Sequence, residues 1–244
     1  MTILSRLKLL RKTFLTRSGG HHYSQFGEDC VLLNWFTKRD QERFFIDVGC
    51  YHPTKGSNTY ALYRRGWRGI NIDLDADKIR AFRMRRPADI SVVAAVSDRA
   101  ETLDVFSDKW YSTRATLDPS IGQGPGFNQH ARVETTTLTA IIDVTRYAGR
   151  KIDLLSVDVE GFDLRVLQGL DFVRYMPAVV LVESLLTTLE DILASDLHRF
   201  MTKQGYVLAN WVGFTLFYRE PAQAASALNH CAVRGQASHQ PVTR

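Results

Sequence analysis

Five short apolar runs, separated by helix-patterned stretches and each closing on an acidic residue, constrain this 244-residue chain more than any other feature. The runs are Phe44–Val48, Gly69–Ile72, Ile90–Val96, Ile152–Val157 and Ala178–Val182. They end at Asp47-Val48-Gly49-Cys50, Asp73-Leu74-Asp75, Ser97-Asp98, Asp158-Val159-Glu160-Gly161 and Glu183-Ser184. Runs that are apolar on both faces predict buried parallel strands, and the intervening patterns predict helices that cover both sides of the sheet. The helix patterns fall at Asn58–Arg65, stopped by Gly66; at Asp77–Arg85, halted near Pro87; at Asp163–Gln168, followed by Gly169; and at Leu189–Lys203. Tyr206–Ala209 and Thr215–Tyr218 lie close enough to pair as a C-terminal antiparallel hairpin. The fold class is therefore α/β, a Rossmann-like sheet that is mostly parallel. Such sheets bind ligands beyond the carboxyl ends of their strands, where this chain puts its acids. A purely structural sheet has no need of them.

Charge narrows the partners. The formal net charge is +5, but residues 1–17 hold five basic residues and no acid, and residues 221–244 hold two and no acid. The span 18–220 then carries 24 basic against 26 acidic residues. A nucleic-acid enzyme concentrates basic charge on its folded body, so no nucleic-acid partner is expected. The chain divides into a basic N-terminal extension (1–22), a folded domain (23–220) and a flexible tail (221–244). The extension is short and amphipathic, open to weak contact with a membrane surface or to life as a solvated helix. Cys30, Cys50 and Cys231 have no paired spacing, which reads as reduced thiols in a cytoplasmic protein. The stretch Ser107–Arg132 has no clear periodicity and includes Trp110, Tyr111, Ser112, Thr113 and Arg114. A loop of this length reads as a lid over a substrate, with the aromatics able to stack on a sugar ring or to anchor the loop.

The first strand and turn, Phe44-Phe45-Ile46-Asp47-Val48-Gly49, allow close approach of a ligand because Gly49 lacks a Cβ. Asp73 ends the next strand 24 positions after Gly49, the spacing at which a carboxylate accepts both ribose hydroxyls of an adenosine. A pyrophosphate needs G-x-G-x-x-G at the first turn. Here the turn reads Gly49-Cys50-Tyr51-His52-Pro53, and Asp47 would repel phosphate. The acid suits the cationic amino-acid end of S-adenosylmethionine, although an Asp can also simply cap a turn. Asp98 is a candidate for the adenine amino group or for a turn cap. A nicotinamide-dependent oxidoreductase or epimerase on the same sheet is disfavoured by the missing glycines. A non-catalytic adenosyl-binding protein of the same fold is the other alternative.

Several ordered segments together resemble the FkbM-type methyltransferases, S-adenosylmethionine enzymes that methylate hydroxyl groups. They are Ser24-Gln25-Phe26-Gly27-Glu28-Asp29, Phe45–Gly49, Ser57-Asn58-Thr59, Gly66–Asp73, Ala95–Asp98, and Leu155–Asp163 followed by Val166–Gly169. The resemblance implies a class I methyltransferase sheet of seven strands with the last antiparallel. It also implies that Asp47, Gly49 and Asp73 touch the cofactor while the Gln25 segment folds over it. Cys50, next in the turn, joins the candidate contacts; Cys50-Tyr51-His52-Pro53 departs from the small residue and second glycine common in the family. The acceptor implied is a hydroxyl of a sugar, polysaccharide or secondary metabolite.

A hydroxyl acceptor must lose a proton, to a base or with the help of a metal. Asp158 and Glu160 are two apart, and a strand would point both to one side. Either, or His52, is a candidate base, although His52 before Pro53 also suits a turn role. Asp158, Glu160 and Glu183 offer oxygen ligands from two neighbouring strand ends, a candidate set for one Mg²⁺.

Overall fold

The structure is a computed structural model and describes residues 22–37, 42–109, 112 and 114–220. Nearly all of the basic extension, the C-terminal tail, and Trp110, Tyr111 and Thr113 of the expected lid lie outside the described residues. No helix among the described residues is long and apolar enough to cross a membrane.

Seven strands form the main sheet: β1 (Phe44–Val48), β2 (Arg68–Asp73), β3 (Ile90–Val93), β7 (Leu154–Val157), β8 (Val179–Glu183), β9 (Val207–Val212) and β10 (Thr215–Arg219). Their spatial order is β3-β2-β1-β7-β8-β10-β9. All neighbours from β3 to β8 run parallel, and β10 is antiparallel to both β8 and β9. The order reverses at β1, where one crossover leads out to β2 and the later chain returns to β7. Side chains alternate across the sheet as strand geometry demands. Phe44, Ile46 and Val48 join the larger core with Tyr147, Val166 and Tyr175. Phe45 faces the other way, onto Leu32 and Phe36 at helix α1 (Glu28–Trp35) and onto Trp67. Both faces of β1 are thus dry, which is why its five residues are all buried.

Three helices bear on the site. α2 (Tyr60–Arg64) follows the β1 turn; α3 (Ala76–Arg85) follows β2 and is capped by Asp75, whose carboxylate accepts from the Asp77 amide at 2.8 Å; α6 (Asp163–Gln168) follows β7. Between α3 and α6 come α4 (Pro119–Gly122) and α5 (Leu138–Asp143), and after α6 comes α7 (Phe172–Tyr175).

The chain differs from its sequence reading in three places. The run Ile90–Val96 is not one strand. It breaks at Ala94, whose amide donates to Asp73 O at 3.0 Å. Val93 is the last residue on the main sheet, and Ala95 opens β4 (Ala95–Ser97) of a second sheet. That sheet has the order β4-β6-β5, with β5 at Thr102–Ser107 and β6 at Gln129–Thr137. The aperiodic stretch Ser107–Arg132 therefore begins and ends in strands and contains α4. Lastly, Leu189–Lys203 is two helices, α8 (Leu189–Ala194) and α9 (Asp196–Lys203), broken at Ser195. Ser195 has an extended backbone, and its hydroxyl accepts from the His198 amide at 3.1 Å. Serine caps a helix better than it sits inside one.

Candidate active site

A cavity of about 690 Å³ opens beyond the carboxyl ends of β1, β2, β7 and β8. That volume is ordinary for a site taking a cofactor-sized ligand, roughly 300–1,000 Å³. Five carboxylates line it: Asp47, Asp73, Asp158, Glu160 and Glu183. The β1 and β7 ends meet at Gly49. Its φ is +73°, and a Cβ there would stand 1.7 Å from Asp158 O. The glycine is required twice, by the left-handed backbone and by the close approach of the neighbouring strand end. Its amide and that of Cys50 both donate to Ile72 O, at 2.9 and 3.2 Å, which fastens the turn to β2.

On the β1–β2 side, Asp73 is buried and accepts from the amides of Tyr51 at 3.1 Å and Asp75 at 2.9 Å. Lys78, on the first turn of α3, lies 3.4 Å from its Oδ2. Burial nevertheless dominates and raises the Asp73 pKa, with Lys78 and the two amides opposing. Asp47 is pushed up to about 6 by burial, against the Thr59 hydrogen bond and the Arg86 charge. The Thr59 hydroxyl donates to Asp47 Oδ2 at 2.6 Å. Behind Thr59 sits Arg86, fully buried. Its guanidinium donates to Pro53 O at 2.6 Å, Ser57 Oγ at 2.7 Å, Thr59 Oγ1 at 2.9 Å and Asn71 Oδ1 at 3.3 Å. One cation thus fixes the 53–59 wall of the cavity and faces the Asp47 charge through Thr59.

The Gln25 segment lines the cavity. Its anchors are the two buried acids of the motif. Asp29 accepts from Ser24 Oγ and the Tyr23 amide, both at 2.8 Å, and Glu28 accepts from the Phe26 amide at 2.8 Å and from Thr215 Oγ1 at 3.2 Å. The Ser57 amide donates to Tyr23 O at 3.0 Å, which ties the segment to the opposite wall. Gln25 itself is exposed and lines the cavity.

On the β7–β8 side, ligand-capable oxygens of Asp158, Glu160 and Glu183 all lie within 4.8 Å of one another. Asp158 is exposed to the cavity, and desolvation by the surrounding protein raises its pKa. Glu183 is raised further, by burial and by the facing charges of Asp158, Glu160 and Asp163. Its Oε2 is buried and meets no donor. Two carboxyls in this relation titrate as a pair, in two steps, because each opposes the other's charge. Glu160 is pushed up to about 7 by burial and by Asp158. The turn that carries it is left-handed at Glu160 (φ 55°) and Gly161 (φ 92°), a conformation that costs a non-glycine residue about 1–3 kcal/mol. Asp163 holds that turn by accepting the amides of Val159 at 3.2 Å and Gly161 at 3.1 Å. Glu160 O accepts from Thr116 Oγ1 at 2.7 Å, linking the turn to the loop after β5.

The structure therefore gathers Gln25, Asp47, Gly49, Cys50, Asp73, Asp158, Glu160 and Glu183 around one cavity. Burial pushes the Cys50 thiol well up, so it lines the turn as a neutral group. His52 and Asp98 do not line the cavity. His52 Nδ1 accepts the amides of Thr54 at 3.1 Å and Lys55 at 2.9 Å, which is the turn role. Asp98 accepts from Arg165 Nε at 2.7 Å and Ser97 Oγ at 2.9 Å; burial opposes its ionisation, but Arg165 holds the carboxyl below the usual range. Lys78 and Asn58 also line the cavity, Asn58 donating to Ser156 Oγ at 3.3 Å, and Arg86 braces its wall; the sequence reading assigned none of the three. Ser57-Asn58-Thr59 was visible only as a helix start, and Arg86 only as a residue between the helix pattern Asp77–Arg85 and Pro87.

A sheet of this order, with a buried acid at the ends of β1 and β2 and an acid-lined cavity at its switch point, is a Rossmann-like class I methyltransferase fold. Among solved structures, a TehB-like SAM-dependent methyltransferase from Corynebacterium glutamicum ATCC 13032 Kitasato is similar at 13% identity, over 89% of this chain and 95% of that one, with a TM-score of 0.42. No curated protein matches. The family described as Methyltransferase FkbM domain matches residues 47–208, well over half of the sequence, from Asp47 to the start of β9. The chain belongs to the FkbM methyltransferase family, for which S-adenosylmethionine is the implied methyl donor.

Proposed function

We propose that the protein transfers a methyl group from S-adenosylmethionine to a hydroxyl of a sugar, polysaccharide or secondary metabolite. The observation that carries this reading is the division of labour among the five cavity carboxylates. Asp47 and Asp73, braced by Arg86 and Lys78, are the cofactor acids: Asp73 accepts from the ribose hydroxyls, and Asp47 faces the cationic amino-acid end. Gly49 and Cys50 form the turn against which the cofactor rests, and Gln25 closes over it. Asp158, Glu160 and Glu183 face the transferring methyl and the acceptor.

The cofactor supplies a methyl carbon already activated on a sulfonium, so the protein's tasks are orientation, exclusion of water and removal of one proton. The acceptor oxygen forms the new C–O bond as the C–S bond breaks, and its proton passes to a carboxylate. Glu160, with a pKa near the working range, is matched to that role. Asp158 and Glu183 hold one proton between them and leave a single negative charge facing the sulfonium.

A second reading has its own observation, the three clustered oxygen donors with Glu183 Oε2 lacking a partner. Asp158, Glu160 and Glu183 would then hold one Mg²⁺, which would act as a Lewis acid on the acceptor oxygen. The test is methyl transfer from labelled S-adenosylmethionine across a panel of hydroxyl acceptors, with and without chelator. Turnover that survives chelation and is lost in Glu160→Gln supports the carboxylate base, whereas loss on chelation with recovery on added Mg²⁺ supports the metal. Asp73→Ala should abolish calorimetric binding of the cofactor, and unchanged affinity would sink the assignment.

A further inference from the structure

Beside the acidic cavity runs a second, shallower groove of about 660 Å³, lined by His22, Tyr23, Thr54, Lys55, Tyr60, Arg64 and Arg85. His22, Tyr23 and Lys55 line both spaces, so the groove shares a wall with the cavity. Its charge is opposite. Lys55, Arg64 and Arg85 are all exposed there, and among the described residues no carboxylate lines it.

Several arginines elsewhere on the described surface meet acids: Arg99 with Glu101 at 3.2 Å, Arg174 with Asp143 at 2.7 Å, Arg199 with Asp196 at 2.6 Å. The two groove arginines meet phenols instead. Arg85 Nη2 donates to Tyr60 Oη at 3.3 Å, Arg64 Nη1 donates to Tyr23 Oη, and the Arg64 guanidinium stands 5.7 Å from the centre of the Tyr23 ring. A phenol orients a guanidinium without neutralising it, and each fork keeps N–H donors to spare. Tyr60 in turn carries the buried Arg86 over its ring at 5.2 Å, which adds positive potential from below. Residues 1–21, which precede His22, contain no Asp or Glu to quench the patch.

From this we infer an oxyanion subsite: the groove takes a phosphate, sulfate or carboxylate group carried by the acceptor, while the acceptor hydroxyl reaches into the acidic cavity. Arginine forks match such groups with paired, charge-assisted hydrogen bonds. The split between acidic interior and basic rim sorts the two ligands, with the cationic donor inside and the anionic acceptor at the mouth. The inference rests on the methyltransferase reading. The other source of an oxyanion is the cofactor's own carboxylate, and the test separates the two.

The full-length chain, saturated with S-adenosylmethionine, is titrated with inorganic phosphate and with a sugar phosphate against the matching neutral sugar, at constant ionic strength. The wild type should bind both phosphates and prefer the sugar phosphate to the neutral sugar. Arg64→Gln/Arg85→Gln should weaken phosphate binding about tenfold or more, the scale of a lost charge-assisted contact, while cofactor affinity stays within about twofold. Lys55→Gln provides a second, milder variant should the double one lose its fold. Phosphate affinity unmoved by both variants overturns the subsite. A fall in cofactor affinity that parallels the fall for phosphate overturns it too, because the cations then serve the cofactor carboxylate. Failure of the wild type to bind S-adenosylmethionine at all brings down the methyltransferase reading, and is seen before any phosphate is added.

Discussion

Replacing Gly49 by alanine tests the geometry on which the whole site depends. Two costs follow from the structure. A φ of +73° places alanine in the left-handed region, which costs about 1–2 kcal/mol. The new Cβ would also lie 1.7 Å from Asp158 O and 2.7 Å from Asp158 C, far inside van der Waals contact, so β1 and β7 must part at their carboxyl ends. Overpacking of this kind costs about 1–3 kcal/mol. The sum, roughly 2–5 kcal/mol, corresponds to a fall in Tm of roughly 5–15 °C for a chain of this size. Gly66→Ala is the internal control: its φ is +95° but nothing lies within 4 Å of the added atom, so it bears only the backbone cost. Thermal denaturation of both variants, with calorimetric titration of S-adenosylmethionine, isolates the steric part. Gly49→Ala should be the less stable of the two and should also bind the cofactor more weakly, because Asp158 moves with its carbonyl. If Gly49→Ala melts no lower than Gly66→Ala, the close packing of the two strand ends is wrong.

Three further outcomes are expected. If Glu160 is the base, only its ionised form works, so kcat/KM should rise with pH through about 7 and level off above it; an acid limb unchanged in Glu160→Gln would remove Glu160 from the reaction. Asp163→Asn keeps one acceptor oxygen where the turn has two amide donors. It should lose about 1–3 kcal/mol, read by chemical denaturation, and a neutral result would mean that the turn stands without it. Arg86→Leu leaves Ser57, Thr59, Asn71 and Pro53 O without their shared donor and should cost about 3 kcal/mol or more; a wild-type melting temperature would show that the 53–59 wall does not depend on this cation.

Much of the fold was legible because it is written in local patterns. Apolar runs with dry faces mark the strands, and acids at strand ends mark the ligand edge, so Asp47 and Asp73 could be paired from spacing. Glu183 and the acids after β7 were legible as strand-end acids too, but Asp158 and Glu160 sit in the turn beyond Val157 and not on a strand that points both to one side. The second sheet was not. Residues of β5 and β6 are largely half-exposed or exposed, and Gln129–Thr137 is mostly polar, so no hydrophobic period announces a strand. The pairing of Asp98 with Arg165 was not legible, because Arg165 is 67 positions away and no local rule predicts it. Arg86 was passed over on the same grounds: its bonds reach back 27 to 33 residues to Pro53, Ser57 and Thr59. Long-range polar pairing is a property of the assembled fold, not of sequence windows.

The break at Ala94 has one more consequence. There the chain leaves the cofactor sheet, builds three strands of its own, and touches back on the β7 turn through Thr116 at Glu160 O and through Ile121, which stands where a Cβ on Gly161 would be, 2.4 Å from that point. The excursion therefore packs against the turn that carries Glu160, the base of the proposed reaction, while leaving Asp47 and Asp73 to the main sheet. Changes in its loops would retune which acceptor is deprotonated, and how readily, before they disturbed the methyl donor.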